Sequence, residues 1–317
     1  MNTELYKIRS VKACIADAYQ LFEENFKTIL RRTWLPSLIL SLVVGVYLCF
    51  NTVYSAMPSA GLSVTDSIKL LAGTVVFILA FYGVLFFLSG RFFSMLNGQP
   101  VRFNYFRSLK LTLLGILIGV AIVLITMAVA IPLTKNSSPY LFAQVLKVAG
   151  LVCLVLLIFA VALIPPMSYS FMKYMMEPQT KLKSVMGSFL RRGYRRYGFL
   201  LGLLLLVALI YYVIQLIINI PVGILTFAGS INQFGIDGGD VSGLPSTFGI
   251  ITFVVTTCIT FISNYVGMWF LLNFYYAYGS VEARTSEGGI GNVNFDVEGT
   301  NRPELEESDK TPKELPE

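Results

Sequence analysis

Residues 191–220 read RRGYRRYGFLLGLLLLVALIYYVIQLIINI, and the change of character inside this stretch decides the fold. Four arginines and two tyrosines give way, within three residues, to a run with no charge from Phe199 to Ile220. A bilayer core about 30 Å thick is crossed by roughly 20 mostly apolar residues in a helix. Tyrosines favour the headgroup level, and arginines the side from which insertion starts. The stretch therefore reads as a basic anchor followed by a membrane helix.

Five more apolar runs of this kind occur, at Leu35–Val53, Leu70–Ser89, Leu111–Leu133, Val145–Ser168 and Ile250–Tyr276. The chain of 317 residues is 55% hydrophobic and 13% charged, against about a quarter charged in a soluble domain. The reading is an all-α membrane protein with six transmembrane helices plus amphipathic cytoplasmic surface helices. Of the 24 lysines and arginines, all but Lys69, Lys135 and Lys147 fall on one side of these helices. The positive-inside rule then puts both termini in the cytoplasm. The opening residues show no cleavable signal, so the first membrane helix directs insertion.

Three regions follow: 1–33, a cytoplasmic amphipathic helix; 34–284, the six-helix membrane region; and 285–317, an acidic cytoplasmic tail. In the first, Val11, Ile15, Ala18, Phe22, Phe26 and Ile29 recur at helical spacing, with Lys12, Asp17, Gln20, Glu23, Glu24, Lys27 and Arg31 opposite. Such a helix lies along the membrane surface, apolar face down, or caps the bundle; both readings stand. The tail holds nine of the eighteen acidic residues and three prolines, a composition that favours disorder. Between the fifth and sixth spans, Ala228–Phe248 reads as a flexible loop.

A basic-aromatic segment precedes each odd-numbered span: Phe26 to Trp34, Phe103 to Lys110 and Phe189 to Tyr197. The layout suggests a threefold helix-hairpin repeat, although any topology with basic connections on one side looks repetitive. Clustered cations beside a membrane attract anionic lipid, at about 1 kcal/mol each. Arg191, Arg192, Tyr194, Arg195 and Arg196, with Arg107, Lys110, Arg31 and Arg32, form the candidate headgroup-binding set.

Inside the membrane region, Gln215, Asn219, Asn264 and Asn273 form a candidate polar cluster on the last two spans. Such side chains hydrogen-bond between helices or line a ligand pocket. Pro165 and Pro166 lack the backbone donors that a helix needs, so a kink is expected there. Histidine is absent and the four cysteines are scattered. No residue set amounts to a catalytic, metal or cofactor site, and nothing points to nucleic acid. Glu177 and Glu282 each follow an even-numbered span, and alone neither makes an acid/base pair.

The opening helix from Ala18-Tyr19-Gln20-Leu21-Phe22 to Arg32, and the closing Asn273-Phe274-Tyr275-Tyr276-Ala277-Tyr278-Gly279-Ser280-Val281-Glu282-Ala283-Arg284, resemble the membrane domain associated with bacterial glycerophosphodiester phosphodiesterases and related six-helix membrane proteins. The match covers about residues 8–284. Ala277 stands where that group usually has Asp, and no phosphodiesterase domain is present. The resemblance implies a bacterial inner-membrane protein with no assigned chemistry. An accessory or scaffold role leads, its basic face engaging anionic lipid or a protein partner. A transporter or lipid-handling permease is the alternative, and it requires a polar cavity reaching mid-membrane past Asn219 and Asn264.

Overall fold

A computed structural model describes residues 5–54, 64–135, 141–241 and 243–295. Among these it is helical, with no strand. Four long helices come first: α1 (Val11–Tyr54), α2 (Val64–Asn97), α3 (Val101–Lys135) and α4 (Leu141–Met176). A broken connection follows, with α5 (Leu182–Ser184), a π-helical turn at Val185–Phe189 and α6 (Leu190–Tyr194). Then come α7 (Tyr197–Ile218), α8 (Ile220–Asp237) and α9 (Phe248–Phe295). Six of them, α1 to α4, α7 and α9, are long and apolar enough to cross a membrane.

Several boundaries differ from the sequence reading. The amphipathic segment is not a separate surface helix but the first half of α1, which has 44 residues. At 1.5 Å per residue this is about 66 Å, twice a bilayer core. Its apolar face turns onto α9, burying Cys14, Ala18, Leu21 and Ile29 with Leu272, Tyr278 and Val281. The expected flexible loop at 228–248 is helical as far as Asp237. Pro221 lacks an N–H for Ile217, so the helix breaks at Asn219, and the break permits Pro at the start of α8. Helix α9 also continues through the first part of the expected tail to Phe295; residues 296–317 lie outside the described residues.

Neighbouring helices pack in the order α1–α2, α2–α4, α4–α7, α7–α9 and α9–α1, which closes a ring, with α3 outside it against α2 and α4. The apolar middles of α3 and α4 stay exposed, as at Leu117, Leu124, Ile125, Leu157 and Ile158. Apolar helices gain little by leaving lipid for one another. Dense burial concentrates instead at the end that carries the basic residues, around Phe92, Phe93, Tyr169, Met172, Met175, Leu200 and Leu203.

The N-terminal strap closes this end. Arg9 donates its backbone N–H to Ser280 Oγ at 3.0 Å, and Arg284 donates to the Arg9 carbonyl at 2.7 Å. The Tyr6 and Tyr278 hydroxyls lie 3.2 Å apart. Leu5 crosses directly over Gly279, where any Cβ would overlap the Leu5 carbonyl. Gly279→Ala must push the strap away from α9, an overpacking cost of about 1–3 kcal/mol. A lowered midpoint of thermal unfolding in detergent is the expected result, and an unchanged midpoint would show that the strap contributes nothing.

Candidate functional site

Prolines inside the helices explain how the basic segments are held. An α-helical carbonyl accepts from the N–H four residues later, which a proline cannot supply. Pro36 therefore frees the Arg32 carbonyl, Pro165 that of Val161 and Pro166 that of Ala162. Each is taken by a side chain from another element. Arg91 Nη1 donates to Arg32 O at 3.1 Å, Tyr197 Oη to Val161 O at 2.8 Å and Tyr194 Oη to Ala162 O at 3.1 Å. Helix α4 runs unbroken through its proline pair. The proline pair leaves a two-carbonyl socket, and the two tyrosine rings stack as they enter it. Gly193 lies against the socket, where a Cβ would be 2.8 Å from the Pro166 carbonyl oxygen.

The same docking fixes the arginines. Arg191, Arg195 and Arg196 are exposed. Arg192 turns inward to Glu282 Oε1 at 3.5 Å. Burial pulls the Arg192 pKa down, but the hydrogen bonds and charges of Tyr169 and Glu282 outweigh it and leave the guanidinium above its usual value. Arg31, Arg32 and Lys110 are also exposed, on α1 and α3. Arg107 is not available to lipid. It is buried, donates to the Glu177 and Thr180 carbonyls and the Thr180 hydroxyl, and stacks 3.9 Å from the Tyr174 ring centroid. Its charge is spent on capping the end of α4.

An ionic cluster ties α4 to α9. Lys173 Nζ reaches Glu282 Oε1 at 2.7 Å and Glu177 Oε1 at 3.1 Å. Tyr169 donates to Glu282, and Tyr278 donates to Glu177 at 2.9 Å. The two glutamates that follow even-numbered spans thus share one buried lysine. The sequence reading passed over Lys173, Tyr169 and Tyr278. Their signal is the spacing Tyr169, Lys173, Glu177, one side chain per helical turn on one face.

Across the ring, α2, α7 and α9 line a half-open cavity of about 350 Å³. Ser89, Gln215, Asn219, Thr260, Ser263 and Asn264 supply its polar wall, and Leu85, Leu88, Phe92, Met268 and Leu271 the apolar one. Gln215 Oε1 accepts from Ser263 at 3.0 Å and from Asn219 at 2.8 Å. Asn264 donates to Ser37 and Ser41 of α1 at 3.1 and 3.3 Å. Gln215 Nε2 is buried without a partner. Three members of the expected polar cluster thus meet here. Asn273 does not join them; it is fully buried and donates to the Trp269 carbonyl of its own helix at 2.8 Å.

No family model matches the sequence, no curated protein matches it, and no solved structure matches it.

The proline sockets make a direct prediction. Tyr197→Phe leaves the Val161 carbonyl unpaired and lowers stability by about 1–2 kcal/mol. In a Pro165→Ala background the restored N–H fills that carbonyl, so the same tyrosine change becomes nearly neutral. The check is a double-mutant cycle of thermal unfolding; equal losses in both backgrounds would sever the link between proline and hydroxyl.

Proposed function

We propose that the protein is a multi-pass membrane protein that admits an uncharged ligand to the cavity inside its ring of helices, as a transporter or lipid-handling permease. The supporting observation is the polar wall with an unpaired donor. A scaffold needs no interior, whereas here six polar side chains line one cavity, and Gln215 Nε2, one of several buried polar atoms without a partner, is available to a ligand there. The cavity falls in the range of small-ligand sites, about 300–1,000 Å³.

Its chemistry selects the ligand class. Among the described residues no charged side chain lines it, and an ion brought there would be stripped of water at a cost of several kcal/mol without a countercharge. A neutral molecule with a hydrogen-bond acceptor for Gln215 and an apolar flank for Phe92, Met268 and Leu271 fits both walls. The basic end is densely packed, with Phe93, Met172 and Leu272 buried, and the Lys173 cluster ties α4 to α9 there.

The charge rule orients this closed end, with both termini, toward the cytoplasm, and the resemblance suggests a bacterial inner membrane. The same reading includes a threefold origin of the hairpins. It is supported by α2 packing on α3, α4 on α6, and α9 on α1, so that each even-numbered span meets the basic segment of the next unit. No reaction is proposed.

Gly267 allows a test that spares the fold. It lines the cavity, and a Cβ placed on it meets nothing within 4 Å. Gly267→Leu should therefore fold, with a helix gain of about 0.5–1 kcal/mol, while filling the site. Thermal unfolding is followed with glycerol, dioctanoylglycerol and farnesol as neutral probes. A ligand at a hundred times its Kd stabilises the original chain by about 2.7 kcal/mol, and Gly267→Leu abolishes that shift. If no probe gives a shift that Gly267→Leu removes, the cavity is not a ligand site.

A further inference from the structure

We infer that Arg191, Arg195 and Arg196 form a binding site for the phosphate group of an anionic phospholipid, held in shape by the proline sockets of α4. The inference stands apart from the cavity and uses none of its residues.

Three observations carry it. The first is unspent charge. Each of the three guanidinium groups is exposed, and among the described residues none forms an ion pair. Glu282, the acid that Arg192 reaches, is already taken by Lys173 and Tyr169. Arg191 and Arg195 lie one turn apart, joined by the Arg195 N–H to the Arg191 carbonyl at 3.3 Å, which places both forks on one face. Arginine matches phosphate oxygens in a planar, two-point geometry.

The second is rigidity. A basic segment that serves only as a topology signal needs charge and no fixed shape. Here Tyr194 and Tyr197 plug two freed carbonyls on either side of Arg195 and Arg196, and Gly193 permits the backbone to touch Pro166. The backbone that carries the guanidinium groups is therefore fixed, so that only side-chain freedom is left to lose on binding.

The third is what lies beside them. Ile158 and Val161 on α4 and Leu205 on α7 are exposed apolar side chains, next to the socket along α4 and two turns beyond Tyr197 along α7. Phosphate at the arginines and acyl chains along these residues describe one molecule, a phospholipid of net negative charge. Free phosphate would leave the apolar strip unused. Arg107 takes no part because it is buried in its own contacts, and Arg192 takes none because it serves Glu282.

The test uses the full chain purified in uncharged detergent and scored by native mass spectrometry for retained lipid. Dioleoylphosphatidylglycerol is compared with dioleoylphosphatidylcholine, with inorganic phosphate as competitor. The expected result is preferential retention of the glycerol lipid, weakened about tenfold or more by Arg191→Gln with Arg195→Gln. Tyr194→Phe with Tyr197→Phe keeps every charge, and it should still lower retention about threefold or more, because looser arginines lose more freedom on binding. The arginine variant alters only exposed side chains and keeps the proposal testable should the tyrosine variant unfold. Equal retention of the two lipids would overturn the site. Undiminished preference in a folded tyrosine variant would reduce it to charge alone. Displacement by inorganic phosphate at the concentration of the lipid would reassign it to a free anion.

Discussion

A proline inside an apolar helix leaves a carbonyl that lipid cannot satisfy, and the placement of the basic segments depends on where those carbonyls go. Water would take them without consequence; hydrocarbon cannot. Three such carbonyls, freed by Pro36, Pro165 and Pro166, are each taken by a side chain that arrives with a basic segment. Arg91 goes to Arg32 O, Tyr197 to Val161 O and Tyr194 to Ala162 O. The second span is thereby pinned to the first, and the segment leading into the fifth is pinned to the fourth. The interactions are few, but within lipid they have little competition, since apolar contact between helices merely replaces apolar contact with lipid. What looked in sequence like local disruption at Pro165-Pro166 is a long-range connector.

The same logic explains why the molecule is dense at one end and open elsewhere. Where water is the alternative, burying Met172, Leu203 and Tyr278 is favourable by the ordinary hydrophobic effect. Along α3 and α4 it is not, and their flanks stay exposed. The ring is thus fastened at its basic end by a core, a strap and an ionic cluster, while its middle holds a cavity. A tightly packed interior throughout would require small residues facing each other across every pair. Gly115, Gly119 and Gly267 have no neighbour within 4 Å of a Cβ position, so these glycines do not serve close packing.

The spans and their number were legible in the sequence because the bilayer imposes a length and a composition that few other environments tolerate. The ends of the helices were not. The first half of α1 carries the charge of a surface helix, and only the matching stripe on α9, more than 240 residues away in the chain, shows what its apolar face meets. Part of the site was legible as well: Gln215, Asn219 and Asn264 stand out because amides are scarce in apolar runs. Asn273 stood out for the same reason and is a core residue, since composition does not reveal which way a side chain points. Lys173 was hidden by its position at a span boundary, where a lysine looks like one more anchor. Its two glutamate partners come from segments far apart in the chain.

Arg191 to Tyr197 shows how much a basic run can conceal. Read as charge, its four arginines are equivalent; in the fold, they separate. Arg192 completes the set of donors around Glu282, so that carboxylate has no unmet demand for the others. The tyrosines anchor the turn to α4, and Arg191, Arg195 and Arg196 are left exposed. Were the anchors absent, the segment would be free to turn its arginines toward carboxylates, since a guanidinium beside a carboxylate in a poorly hydrated corner gains more than one in water. Keeping three of them outward and unpaired requires both conditions, an acid already neutralised and a backbone already tied. Topology alone asks for neither, and this separates an anchor from a site.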